Sequence, residues 1–253
     1  MITDPLYYVI AVPMVLITGI SKGGFGMGLG IMSVPAMSLV VPPLQAAGIM
    51  LPILCLMDLV GVWTYRRTWD RRLLRHMAPA ALVGIAVGWA LAGALDERWI
   101  RLVIGLIALA FALDFWRGRR IARAAARPSA WKGGFWSGVS GFTSFVGHAG
   151  GPPLSIYLLP LGLDKTIFVG TTVMFFAAVN YVKLVPYAWL GQLGPGNLAT
   201  ALVLAPLAPL GMWLGIRLHH GIAPGAFIRI CYGFVFVVGL KLTWDGLKLG
   251  AGL

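Results

Sequence analysis

Apolar runs of about twenty residues recur along the whole chain, and no other feature limits the fold so tightly. A run of that length crosses the hydrocarbon core of a bilayer as one α-helix. Only 11% of the 253 residues are charged and 59% are hydrophobic, whereas a soluble domain carries roughly a quarter charged residues. The alternation over roughly ten residues that marks a membrane β-barrel is absent. The sequence therefore predicts an all-α polytopic membrane protein.

The net charge of +12 invites a nucleic-acid reading, but its distribution argues against one. Eleven of the twenty Lys and Arg residues fall in two short stretches, RRTWDRRLLRH (66–76) and RGRRIARAAARPSAWK (117–132). That concentration is how cytoplasmic loops look under the positive-inside rule. No basic face of a folded domain is left to grip a nucleic acid. The start, MITDPLYYVIAVPMVLITG, has an acid where a secretory signal has positive charge, and no clear cleavage site, so the first helix is expected to remain. Cys55 and Cys231 stand singly in apolar runs and read as small buried hydrophobes. No Cys/His cluster points to a metal, and no cofactor is expected.

Five hydrophobic segments (5–22, 27–41, 44–65, 76–95 and 99–116) precede the basic linker, and five more (132–146, 150–162, 166–187, 196–218 and 225–247) follow it. The second segment of each set is short, which fits a half-helix or one arm of a re-entrant hairpin. The sets also match in order. Pro35 pairs with Pro153, Asp58 with Asn180 and Tyr65 with Tyr187. Pro79, Gly84 and Gly88 pair with Pro206, Gly211 and Gly215, and Ile100, Arg101 and Gly105 with Ile228, Arg229 and Gly233. This reads as a duplication: a first transmembrane repeat (1–116), a basic linker (117–131) and a second repeat (132–253). The loop after segment three is basic in the first half and uncharged (AWLGQLGPGN) in the second, where the next loop is the basic one. Two inverted repeats of about five helical segments each, eight to ten membrane segments in all, are thus expected, with both termini outside. Inverted repeats are a common transporter architecture, with the substrate near the midplane at their junction.

Each repeat carries a glycine-rich break before its short segment, SKGGFGMGLG (21–30) and SFVGHAGGPP (144–153). Glycine permits a tight reversal, and a helix beginning inside the membrane presents unpaired N–H groups and a positive dipole end that attract an anion. Pro152 and Pro153 fit such a first turn. Lys22, Gly23, Gly24, Gly26 and Gly28, with Gly147, Gly150 and Gly151, are candidate anion contacts on this reading; close helix packing is the alternative use of small residues. Charges inside a membrane normally line a cavity or find a partner. Lys22 either does so or snorkels at the cytoplasmic rim. Lys183 supplies a fixed positive charge for the anion, or pairs with Asp58. Asp58, alone in the middle of its helix, and His148 are the candidates for carrying a proton. Thr143, Ser144, Thr171, Thr172 and Asn180 are candidate hydrogen-bond donors to the anion, although hydroxyls commonly bond their own helix.

The stretches GISKGGFGMGLGIMSVPAMSL and GHAGGPPLSIYLLPLGLDKTIFVGTTVMFFAAVNYVKLVPYAWLG resemble the sulfite exporter TauE/SafE family, and the resemblance extends over nearly the whole chain. Met27 stands where many members have glycine, and His148 departs from the simplest glycine-rich second motif. The resemblance implies a bacterial inner-membrane, multi-pass protein that moves small sulfur-containing anions such as sulfite or organosulfonates. A secondary transporter working by alternating access, with protons as coupling partner, is the expected activity; an uncoupled anion channel or a carrier of another small carboxylate or oxyanion is the alternative. No phosphate-binding loop for ATP is present. A membrane enzyme would need a converging nucleophile, base or metal set that these residues do not supply, so no enzymatic activity is expected.

Overall fold

In a computed structural model, residues 1–25, 29–117, 127–218 and 225–251 are described, and every regular element among them is helical. They are α1 (Pro5–Ile20), α2 (Ser33–Met37), α3 (Pro43–Tyr65), α4 (Arg71–Ala94), α5 (Glu97–Trp116), α6 (Ala130–Gly147), α7 (Gly151–Leu158), α8 (Lys165–Trp189), α9 (Pro195–Leu204), α10 (Leu207–Leu218) and α11 (Gly225–Ala251). Most of the basic linker, the centre of the 217–229 loop and the Cys231 side chain fall outside the described residues. Cys55 is buried, as its apolar setting predicts.

Acids are scarce, and half of them start helices. Asp4, Asp70, Asp96 and Asp164 are the N-caps of α1, α4, α5 and α8, each accepting from backbone amides of its own first turn. A carboxylate there satisfies donors that the helix leaves unpaired. Asp58, in the body of α3, is therefore a different kind of residue.

Among the described residues, helices α1 (continued to Gly24), α3, α4, α5 and α8 are long and apolar enough to cross a membrane, and the bent pair α9–α10 is a sixth if taken as one span. Helix α6 is of comparable length, at 18 residues, but glycine, serine and tryptophan dilute its hydropathy. The second segment of each half is short as helix: α2 is one turn after a 3-10 turn (Leu29–Met32), and α7 is eight residues. The segment predicted over 196–218 is broken at Pro206, and its halves bend by 42°, because proline removes an amide from the ladder and clashes with the preceding turn. Leu59, Val83, Val185, Leu202 and Val237 point outward; on a spanning helix, lipid tails are their solvent.

Small residues bring helix backbones together where no hydrophobic drive operates. Helix α4 lies on α6: a Cβ on Gly84 would overlap the Gly138 carbonyl, and one on Gly141 the Ala81 carbonyl. Helix α10 lies on α1 in the same manner. A Cβ on Gly19 would sit 2.9 Å from Gly211 Cα, and one on Gly211 3.0 Å from Leu16 O. Helix α5 packs along α11, and α3 along α8.

Candidate functional site

Both predicted breaks exist, and both bound one cavity. Helix α1 loosens into a π turn over Ser21–Phe25, a distortion that recurs at functional sites. Helix α6 stops at His148, which takes the left-handed conformation with φ +52°. Its amide bonds Ser144 O at 3.1 Å and that of Ala149 bonds Thr143 O at 3.1 Å. Glycine usually closes a helix this way. Among the described residues His148 is the one non-glycine at positive φ.

The cavity, about 60 Å³, is lined by Thr18, Ser21, Lys22 and Gly30 from the first break, Ser144, His148 and Gly151 from the second, Leu54 of α3, and Thr172, Val173, Phe176 and Asn180 of α8. A buried water needs roughly 10–15 Å³ measured this way, so the space suits a few waters or one small oxyanion. Helical spacing assembles the wall. Thr18 and Lys22, Leu54 and Asp58, Ser144 and His148, and Thr172, Phe176 and Asn180 are each four residues apart and share a helix face.

Two buried charge clusters stand against this wall. In the first, Lys22 Nζ lies 2.7 Å from Asp58 Oδ1 and 3.4 Å from Leu54 O. Asn180 Nδ2 donates to Asp58 Oδ2 at 2.7 Å. In the second, Lys183 Nζ donates to Ser144 O at 2.9 Å and Ser144 Oγ at 3.0 Å, and lies 2.9 Å from His148 Nδ1. His148 Nε2 is 3.0 Å from Ala47 O. A charged Lys183 has three protons and spends all three here. His148 then accepts at Nδ1 and donates from Nε2, as a neutral ring.

Lys183 is fully buried and does not line the cavity. Ser144, whose hydroxyl lies 3.0 Å from Lys183 Nζ, does line it. Lys22 and the second N–H of Asn180 add further donors on the same wall.

The model of the sulfite exporter TauE/SafE family matches residues 11–242. The chain belongs to that family. The probable inner membrane transporter protein TsaS of Comamonas testosteroni is 30% identical over 179 residues, covering 68% of this chain and 72% of that protein. No solved structure matches.

For this TauE/SafE member, the predicted site residues separate into four groups. Lys22, Ser144, His148, Gly151, Thr172 and Asn180 line the cavity, and Asp58 and Lys183 support it from behind. Gly23, Gly24, Gly147, Gly150, Thr143 and Thr171 lie off it. A Cβ on Gly23 would stand 2.5 Å from Met212 O, and one on Gly24 would overlap Gly215 O; both glycines serve the approach of α10, the packing alternative. Gly147 faces Ile104, and Gly150 accepts from the Ser140 hydroxyl at 2.7 Å. Thr143 bonds Val139 O at 2.9 Å, and Thr171 Oγ1 accepts from Asp70 N at 2.9 Å in the 66–70 turn. Gly26 and Gly28 lie outside the described residues.

Of the two readings of Lys183, the pair with Asp58 is not formed: Asp58 pairs with Lys22, and Lys183 bonds Ser144. Pro152 and Pro153, in the first turn of α7, carry no amide N–H. Thr18, Ser21, Gly30, Leu54, Val173 and Phe176 were not anticipated, although the four-residue spacings from Lys22, Asp58 and Asn180 point to three of them.

Proposed function

We propose that the chain is a secondary transporter that carries a small sulfur-containing oxyanion, sulfite or an organosulfonate, across the inner membrane by alternating access. The observation that carries this reading is the cavity walled by both breaks, which the partly buried Lys22 lines and against which the buried Lys183 sets its charge through Ser144. Donors pre-aimed into a dry site interact with an anion far more strongly than in water.

Recurring contacts support the inverted duplication, with repeats over 1–116 and 132–253. Tyr65 donates to Gly23 O at 2.7 Å and Tyr187 to Phe145 O at 2.6 Å, with the same separation of 42 residues. Helix α4 of the first half lies on α6, the opening helix of the second, and α10 of the second lies on α1 of the first. The pairs α3–α8 and α5–α11 join equivalent helices. The basic stretches 66–76 and 117–132 face the cytoplasm in this arrangement. Rocking of one repeat against the other would open the cavity to each side in turn.

Asp58 and Lys22 form the coupling element. When an anion takes the Lys22 ammonium, the fully buried Asp58 keeps only its bond from Asn180, and a proton restores neutrality. One anion then travels with one proton.

The test is sulfite uptake into proteoliposomes under an imposed pH step. Wild type accumulates sulfite against its gradient when the proton gradient is applied, Lys183→Met and Ser144→Ala lose flux, and both variants retain their melting temperatures within a few degrees. Sulfite flux in Lys183→Met equal to wild type contradicts the reading.

A further inference from the structure

We infer that the Thr18 hydroxyl is a substrate-contacting donor that makes the site prefer a three-oxygen sulfur anion over a two-oxygen carboxylate. The inference rests on the transporter reading above and adds a residue and a selectivity to it.

Hydroxyls on helices normally bond the carbonyl four residues earlier. Thr143, Thr172, Thr200 and Thr243 all do so here, at 2.8–3.0 Å. Thr18 does not. It is only 3% exposed, it lines the cavity, and its Oγ1 is buried without any hydrogen-bond partner. A buried hydroxyl left unpaired carries a desolvation cost, which a guest in the adjoining cavity would relieve by a small turn of the side chain. Among the described residues two other buried hydroxyls are unpartnered, those of Tyr7 and Ser137, but neither lines the cavity.

The surroundings narrow what enters. The methyl of Thr18 is turned toward Gly30: a Cβ built on Gly30 would meet Thr18 Cγ2 at 3.4 Å. A larger residue at position 30 would take up space beside the hydroxyl. Thr18 is one turn before Lys22 on the same face, so its proton and the Lys22 ammonium reach one guest from the α1 side. Ser144 reaches it from α6 and Asn180 from α8. Donors on three helices suit a head group with oxygens on three sides. Sulfite and sulfonates have that shape; a planar carboxylate fills two of the three positions and leaves one donor unpaired. A site whose buried donors go unpaired rejects the poorer ligand strongly.

The experiment is isothermal titration of purified protein with sulfite, methanesulfonate and acetate, in wild type, Thr18→Val and Thr18→Ser. Valine keeps the shape and removes the donor; serine restores it. Loss of one hydrogen bond to a charged ligand weakens binding by about 10-fold or more. We expect that loss for sulfite and methanesulfonate in Thr18→Val, near-wild-type affinity in Thr18→Ser, and a smaller change for acetate. Thr18→Ala repeats the comparison if the valine variant fails to fold. Wild-type affinity for sulfite in the variant lacking the hydroxyl, or an equal loss for all three anions, overturns the inference and leaves the transporter reading standing. A wild-type protein that binds neither sulfite nor methanesulfonate overturns both.

Discussion

Breaking the Lys22–Asp58 pair from either side should cost more than removing it whole. At 2.7 Å two unit charges attract by about 6 kcal/mol at the effective dielectric of a protein interior. Taking each ion out of water recovers several kcal/mol of that. A buried pair is therefore close to neutral against apolar side chains of similar volume, while an orphaned member costs about 3–5 kcal/mol. Asp58 is fully buried and the Lys22 side chain is 11% exposed, so the two single variants differ. Lys22→Met leaves a carboxylate with Asn180 alone and falls at the high end of that range. Asp58→Asn leaves an ammonium that still reaches the cavity and falls at or below the low end. The double variant should return to within about 1–2 kcal/mol of wild type, giving a coupling of up to about 6 kcal/mol, well above the 0.5 kcal/mol scatter of independent sites. Reversible unfolding in mixed micelles, followed by tryptophan fluorescence, measures all three. The double variant should also be inactive in sulfite flux, since it has lost the anion's ammonium. Additive single effects, with coupling below about 0.5 kcal/mol, would refute the buried pair.

Two further outcomes follow from the fold. Tyr65→Phe and Tyr187→Phe each free one buried carbonyl, of Gly23 and of Phe145, and each should cost about 1 kcal/mol; a marked inequality in the same unfolding assay would count against equivalent roles in the two halves. The Asp164 carboxyl is held below its ordinary range by the amides of Thr166 and Ile167. A depressed carboxyl adds stability above the unfolded pKa and loses it as pH falls through the folded one. The melting advantage of wild type over Asp164→Ala should thus be constant near neutrality and shrink below the ordinary carboxylate range.

Helix positions were legible because a bilayer demands long apolar runs, and the segment boundaries agree with the helices closely for α3, α5 and α8. The bend at Pro206 was less so, since apolar sequence continues through it and only the proline marks it. Lys22, Ser144, His148 and Asn180 were recognisable as polar groups that a membrane would not tolerate idly. Which lysine pairs with Asp58 was not, because Lys22 and Lys183 both lie within reach in sequence terms and only the π turn of α1 decides. The glycines misled in part: Gly151 lines the cavity, whereas Gly23 and Gly24 make room for a neighbouring backbone. Thr18 was hidden by its ordinariness, as a threonine in a helix normally satisfies itself.

The central claim is that an oxyanion sits between the two breaks. Selenite, a heavier analogue of sulfite, would locate it by anomalous scattering in crystals of the protein. The expected result is one selenium peak within hydrogen-bonding reach of Lys22 Nζ and Ser144 Oγ, weakened in Ser144→Ala. A peak at the protein surface alone, with the cavity between α1, α6 and α8 vacant at saturating selenite, would contradict it.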